Sequence, residues 1–285
     1  MNFRFKNLFL LASLALLSSA CDKIEQDDYL LFSGAVGEWY DGNGVNDHSQ
    51  RAIIEKYTGV RCINCPTADE AISAASSQYG YKLIAVAIHD SSNFTKPIGD
   101  NPRLSTPDGN AWSNYFGIRA AGSYPNALIN RTSVSGTWDL FTPTSGINSR
   151  VDNIIANNPS VAVATNASLS GNSINISVDV ELLSDISGQM TVTLLIMEDG
   201  LVITQRMPDG SDNENYVHNH VLRDVITDIW GADIDCNGKN GEKRHAMFSY
   251  TDFNTDWNID NCHIVAIVSD KVSRSILNVA QCAIE

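Results

Sequence analysis

From residue 51 onward the chain alternates short apolar runs with helix-length stretches. Residues 53–57 and 83–88 read as buried strands, with an Ala/Ser-rich helix over 66–78 between them. Residues 90–110, rich in Pro, Asn, Asp and Ser, read as a long loop. A short helix is expected over 111–116, a strand over 126–130 and the apolar part of another helix over 151–156. Strands and helices alternating at these lengths predict an α/β layer structure. After Asn157-Asn158-Pro159 the period changes to two. Over 173–182, Ile174, Ile176, Val178, Val180 and Leu182 share one face, while Ser173, Asn175, Ser177, Asp179 and Glu181 share the other. Comparable strands fall at 161–169, 190–198, 201–205, 246–253, 262–268 and 276–284, and seven short strands predict an all-β sandwich of immunoglobulin-like size. The expected boundary lies near Asn158, giving domains at 51–158 and 159–285.

The first twenty residues do not belong to this pattern. Arg4 and Lys6 precede an apolar stretch from Leu8 to Leu17, and Ser18-Ser19-Ala20 stand directly before Cys21. That is a secretory signal. Small residues ahead of the cysteine resemble a bacterial lipobox, which implies cleavage before Cys21 and its acylation, so membrane attachment through lipid on Cys21 is expected. Residues 21–50 begin as an acidic tether, Asp22-Lys23-Ile24-Glu25-Gln26-Asp27-Asp28, that resembles the export tags of surface lipoproteins in Bacteroidota. The outer membrane follows as the expected location, on its periplasmic or cell-surface face. The whole chain of 285 residues carries 19 basic and 33 acidic groups, a net charge of -14. Such a surface repels phosphate backbones, so a nucleic-acid partner is excluded and a protein or peptide partner is expected. No cofactor is expected.

The segment with the clearest chemistry is Tyr57-Thr58-Gly59-Val60-Arg61-Cys62-Ile63-Asn64-Cys65-Pro66. A strand runs into a turn, and two cysteines separated by two residues stand where a helix begins. Unpaired N–H groups and the positive end of the helix dipole stabilise a thiolate there. Cys62 is expected as the exposed nucleophile, activated by the neighbouring charge of Arg61, and Cys65 as the resolving thiol. Three readings of the pair stand side by side: a redox-active dithiol, a structural disulfide, and half of a zinc site. His89, after the second strand, is a further candidate neighbour of the cysteines.

Strand, C-x-x-C-P, helix and strand resemble the thioredoxin fold. That resemblance implies a cis-proline opening the strand that faces the cysteines, and Tyr124-Pro125-Asn126-Ala127-Leu128-Ile129 matches the element, with Pro125 aligning a partner's backbone. Arg61 replaces the tryptophan common before the first cysteine, and Glu55 or Lys56 stands where the enzymes often bury a proton-handling carboxylate. The motif, the Tyr-Pro strand and Val217-His218-Asn219-His220-Val221-Leu222-Arg223 together resemble the outer membrane protein twenty-eight family of Bacteroidota lipoproteins. The expected architecture is an α/β thioredoxin-like domain followed by the immunoglobulin-like sandwich. The expected function is thiol-disulfide exchange on secreted or envelope proteins. The alternative is a non-enzymatic surface binding or adhesion lipoprotein that uses the fold as a scaffold.

Three cysteines remain. If the last two strands form a hairpin around 270–274, Cys262 faces Cys282 and a structural disulfide follows, with Cys236 able to bond either one. Asp233, Asp235 and Asn237 repeat the first half of a calcium loop, although Arg244 occupies the twelfth position. His218, His220 and Asp224 form a candidate transition-metal set, with packing as the alternative. Trp112, Tyr115, Phe116 and Tyr124 cluster near the proposed cis-proline and are expected in the core or on a peptide-binding rim.

Overall fold

The computed structural model describes residues 37–251 and 253–285. The signal segment, Cys21 and the acidic run behind it lie outside the described residues. Apolar runs without alternation become strands covered on both faces. Strand β1 spans Trp39–Asp41, β2 Ala52–Thr58, β3 Leu83–His89 and β4 Asn126–Ile129, and every residue of β2, β3 and β4 is buried. Helix α1 (Cys65–Tyr79) separates β2 from β3. Pro66 occupies its first turn, where a missing N–H costs little. Ala68, Ile72 and Ala75 recur at helical spacing on its buried face. Helix α2 (Pro107–Tyr115) begins inside the expected loop because Thr106 caps it, its Oγ1 accepting the Gly109 N–H at 3.0 Å. Helices α3 (Ile118–Ala121) and α4 (Ile147–Ile155) flank β4.

The period-two region forms β5 (Val161–Ser170), β6 (Ser173–Leu182), β7 (Met190–Glu198), β8 (Val221–Val225), β9 (Lys243–Tyr250), β10 (Cys262–Asp270) and β11 (Ile276–Ala283). These strands do not close into a sandwich of their own. The main sheet has the order β11-β10-β7-β8-β3-β2-β4, so strands from both sides of Asn158 share it. The joint is the parallel pairing of β8 with β3, Val221 opposite Ala87. The expected boundary at Asn158 therefore separates no two sheets. A second sheet, β1-β9-β6-β5, lies over the β7-β10-β11 half through a shared core of Val163, Ile176, Val178, Leu194, Ile264 and Phe248. Its edge strand β1 comes from residues assigned to the tether: Trp39 pairs with Ala246 and its ring meets Phe248 edge-on at 6.4 Å. The structure is thus β-rich, with few helices.

The main sheet curls until its ends meet. The Ile276 N–H donates to Asn130 O at 3.0 Å, Gln50 Nε2 to Leu277 O at 2.9 Å, and the Arg51 N–H to Asn278 Oδ1 at 3.1 Å. The enclosed face collects Ile53, Tyr57, Ile88, Leu128, Met197, Val265 and Val279 against Trp112 and Phe116. Each fully buried aliphatic or aromatic side chain there contributes about 1.5–3 kcal/mol relative to exposure.

The hairpin of β10 and β11 corrects the expected cysteine pairing. Ser269 faces Ile276, and after a bulge Ile264 faces Cys282, while Cys262 pairs with Glu198 on β7. The shift carries Cys262 two positions past Cys282, and Cys236, Cys262 and Cys282 are all free thiols. The turn is one residue longer than expected, with Asp270 and Ser275 bonded across it and Arg274 at φ 63°, and the bulge beside Ser269 adds the second position.

Candidate functional site

Strand β2 delivers its C-terminal end to the turn 59–64. Gly59 is required there, because the Phe94 carbonyl oxygen lies 2.5 Å from where a Cβ would sit. The Arg61 N–H donates to that same oxygen at 2.8 Å, and the Cys62 N–H to Gly59 O at 3.0 Å. Cys62 and Cys65 are joined by a disulfide with Cα atoms 5.4 Å apart, at the first residue of α1. Asn126 pairs with Tyr57, so Pro125, whose bond to Tyr124 is cis, precedes β4 beside this end of β2. The Tyr124 hydroxyl donates to the buried Asp90, as does Ser113 Oγ at 2.5 Å. Burial, reinforced by that carboxylate, pushes the Tyr124 phenol up to about 12.

Two expectations about the motif are corrected. Cys62 was expected exposed, yet Cys62 and Cys65 are 1% and 0% exposed. Arg61 was expected to act on the Cys62 thiolate, but its guanidinium donates to Lys96 O at 2.8 Å and Pro97 O at 2.6 Å, tying down the loop after Phe94.

A hairpin over 201–218 lies against the turn. Leu201–Val202 pairs with Val217–His218, and Gln205–Arg206 with Asp212–Asn213. Gln205, 1% exposed, donates from Nε2 to Cys62 O at 3.0 Å, with Gly59 O at 3.5 Å and Arg206 O at 3.0 Å also in reach. The Arg206 N–H donates to Val60 O at 2.8 Å. Val60 packs with Leu104, Ile203 and Val221. The strand expected over 201–205 leaves Gln205 unmarked, because composition and period offer no signal for it.

Beneath the motif, the two charged residues of β2 have different partners. Glu55 is held by Arg131 Nε at 2.9 Å and Nη2 at 2.7 Å, and the guanidinium lies over the rings of Trp112 and Phe116 at 4.9 and 5.3 Å. Burial works against the Arg131 charge, but Glu55 outweighs it and the guanidinium pKa rises. Lys56 forms an ion pair with Asp69 of α1, whose other oxygen accepts the Tyr216 hydroxyl at 2.9 Å. Burial draws the Lys56 ammonium down to about 7.

His89 pairs with Thr58 and is buried with both ring nitrogens unpartnered, its ring 6.1 Å from that of His218. Burial, added to by His218 and nearby cations, holds it well below the usual range, and burial draws His218 down to about 4.

The candidate metal sets do not assemble. His218 Nε2 meets Ile203 O at 3.1 Å, whereas His220 faces Asp199 and Asp224 accepts the Tyr250 hydroxyl at 2.5 Å. Asp233 pairs with Lys271 at 2.7 Å and Asp235 with Arg244 at 3.5 Å, while the Asn237 N–H donates to Glu242 Oε2 at 2.9 Å. Among the described residues no three His, Cys, Asp or Glu side chains are gathered to hold a metal. Of the aromatic cluster, Trp112 and Phe116 are core, Trp112 donating to Ile229 O at 3.0 Å, and Tyr115 is half exposed.

Residues 109–285 match the family described as outer membrane protein Omp28. The chain belongs to the Omp28 family. The matched span contains the covering hairpin but begins after the cysteine motif, so membership concerns the frame around the pair. The chain is also similar in fold to HBP35 of Porphyromonas gingivalis, with 14% identity and a TM-score of 0.66 over 84% of this chain and 77% of that one. A protein of Agrobacterium tumefaciens gives 17% identity and 0.51 over 82% and 95%. A domain of the outer membrane lipoprotein Omp28 from Porphyromonas gingivalis gives 18% and 0.32 over 45% and 89%. No curated protein matches the sequence significantly.

Proposed function

We propose that this Omp28-family protein is held at the outer membrane by lipid on Cys21 and carries a thioredoxin-like core whose Cys62–Cys65 pair exchanges disulfides with secreted or envelope proteins. One observation carries the reading. The disulfide stands between the end of a central parallel strand and the start of α1, beside the cis Tyr124–Pro125 bond that opens the neighbouring strand. In the oxidising direction a partner thiolate attacks Cys62 Sγ, the Cys62–Cys65 bond breaks, and Cys65 leaves as a thiolate stabilised by the α1 N-terminus. A second partner thiolate then attacks the mixed disulfide. The partner gains a disulfide, and its two electrons remain on the Cys62 and Cys65 thiols. A Cys65→Ser variant should trap partners as mixed disulfides far better than Cys62→Ser; equal trapping would remove the nucleophile assignment.

Burial of both sulfurs supports a second reading, in which the disulfide is structural and the fold is a scaffold for a surface binding protein. The reduction potential separates the two. A pair near about -180 to -270 mV exchanges with cellular thiols, while one below about -300 mV is structural. Under the second reading, a folded Cys62→Ala/Cys65→Ala variant keeps its partner.

A further inference from the structure

We infer that the hairpin 201–218 is a latch that gates the Cys62–Cys65 pair: closed, it occupies the carbonyl groups of the cysteine turn, and open, it yields them to an extended segment of a partner protein. The inference rests on the redox reading of that pair and adds its regulation.

Three observations carry it. First, the hairpin pairs only with itself and joins neither sheet. Its tip is closed by internal contacts, Arg206 with Asp212 at 2.9 Å and the Met207 N–H to Ser211 O at 2.8 Å. Two-stranded hairpins are marginal on their own, so its position depends on what fastens it to the body.

Second, the fastenings converge on the redox turn. Gln205 and the Arg206 N–H serve the carbonyls of Cys62 and Val60, with Gly59 at the edge of reach. Tyr216 reaches Asp69 on α1, and Asn101 Nδ2 donates to Thr204 Oγ1 at 2.8 Å. The carbonyls of Val60 and Cys62 thus accept from the hairpin, and the N–H groups of an extended chain are the natural donors to replace Gln205 and Arg206.

Third, the base has the geometry of a hinge. Gly200 and His220, with φ of 76° and 60°, bracket the hairpin where its two legs are tied to each other, and His220 O accepts the Ala87 N–H of β3 at 2.7 Å. The Gly200 N–H donates to Asn219 Oδ1 at 2.9 Å and the His220 N–H to Asp199 Oδ1 at 2.5 Å. Segments fastened by a few hydrogen bonds open well below the global unfolding free energy. Cys62 is 1% exposed with the hairpin in place, and attack on its Sγ needs access.

The test measures how fast dithiothreitol reduces the Cys62–Cys65 bond in the full chain, read by maleimide gel shift after quenching, with circular dichroism and a thermal melt to establish folding. Gln205→Ala should speed reduction by about tenfold and Tyr216→Phe by about threefold, the range for losing one or two hydrogen bonds. Rates within twofold of the wild type in the folded variants would overturn the latch. If Gln205→Ala does not fold, Tyr216→Phe, at the half-exposed rim, decides alone. The equilibrium potential against glutathione, measured in parallel, tests the redox reading separately. A potential near the glutathione couple with unchanged rates removes the latch and leaves the redox reading. A potential far below it with accelerated rates removes the redox reading and leaves a cover over a structural bond.

Discussion

Replacing Arg131 with methionine should be among the most damaging single changes available in this protein. Arg131 and Glu55 are each 1% exposed and share three N–H···O contacts of 2.7–3.1 Å. Methionine has nearly the volume of the lost side chain and leaves the Glu55 carboxylate buried without its counter-charge. Breaking one side of such a pair costs about 3–5 kcal/mol. The guanidinium also lies over Trp112, Phe116 and Trp230 at 4.9, 5.3 and 5.8 Å, and those contacts disappear with it. At about 2–4 °C per kcal/mol for a chain of this size, the melting temperature should fall by about 6–20 °C. Urea unfolding followed by tryptophan fluorescence is the suitable assay, because two of those rings report directly on the site. The Glu55→Leu/Arg131→Met double variant should recover most of the loss, since an apolar replacement of both partners is near neutral or stabilising. A single variant within about 1 kcal/mol of the wild type, or a double variant no better than the single, would refute the reasoning.

Three further outcomes are expected. Burial holds Lys56 near 7 in the folded chain against about 10.5 unfolded, so between those values the unfolded chain binds the extra proton and stability rises with pH. The stability difference between wild type and Lys56→Met should therefore move in the wild type's favour from pH 7 to pH 10, and a flat difference in urea titrations would contradict it. Mass mapping after alkylation in denaturant should find Cys236, Cys262 and Cys282 modified, whereas in the native protein at pH 8 Cys262 and Cys282, pushed by burial up to about 12 and about 11, should react slowly. A Cys262–Cys282 bond in that map would overturn the register described for β10 and β11. Gly59→Ala should drive the Phe94 backbone away from the turn and cost about 1–3 kcal/mol; an unchanged thermal melt would mean that the close approach is absent.

Local signals in the sequence were faithful to local structure. The 53–57, 66–78 and 83–88 expectations became β2, α1 and β3 with ends moved by a residue, because each is a short apolar or Ala-rich run with a punctuating Gly or Pro nearby. Strict alternation at 173–182 correctly placed five aliphatics inward on β6. Pairing was not legible, since period two reports which face a residue occupies and says nothing of the neighbouring strand. A clue lay in the unbroken apolar run 194–197 of Met190–Glu198, since a strand apolar on both sides belongs inside a layered stack rather than on one wall of a two-sheet sandwich. The cysteine turn was legible down to its place at a helix start, whereas its cover was not. Gln205 and Tyr216 reach the motif across more than 140 positions, and their types are common in exposed loops. Glu55 or Lys56 was legible at the place of a buried proton-handling carboxylate, but nothing marked Arg131 as the partner of Glu55.

The bonds that the final strand makes to Gln50, Arg51 and Asn130 order events in time as well as in space. During synthesis the earliest strands are complete long before residues 276–283 exist, yet the main sheet closes only when those residues arrive. The same late strand supplies Asn278, whose Nδ2 donates to Ser49 O at 3.2 Å and Val161 O at 2.8 Å, joining three distant stretches at one buried amide. Until those residues arrive the chain carries open strand edges that would pair with other molecules if left waiting. A nascent chain cut short before Ile276 would lose the clasp of its whole sheet, so residues 276–283 govern whether the first strands ever settle.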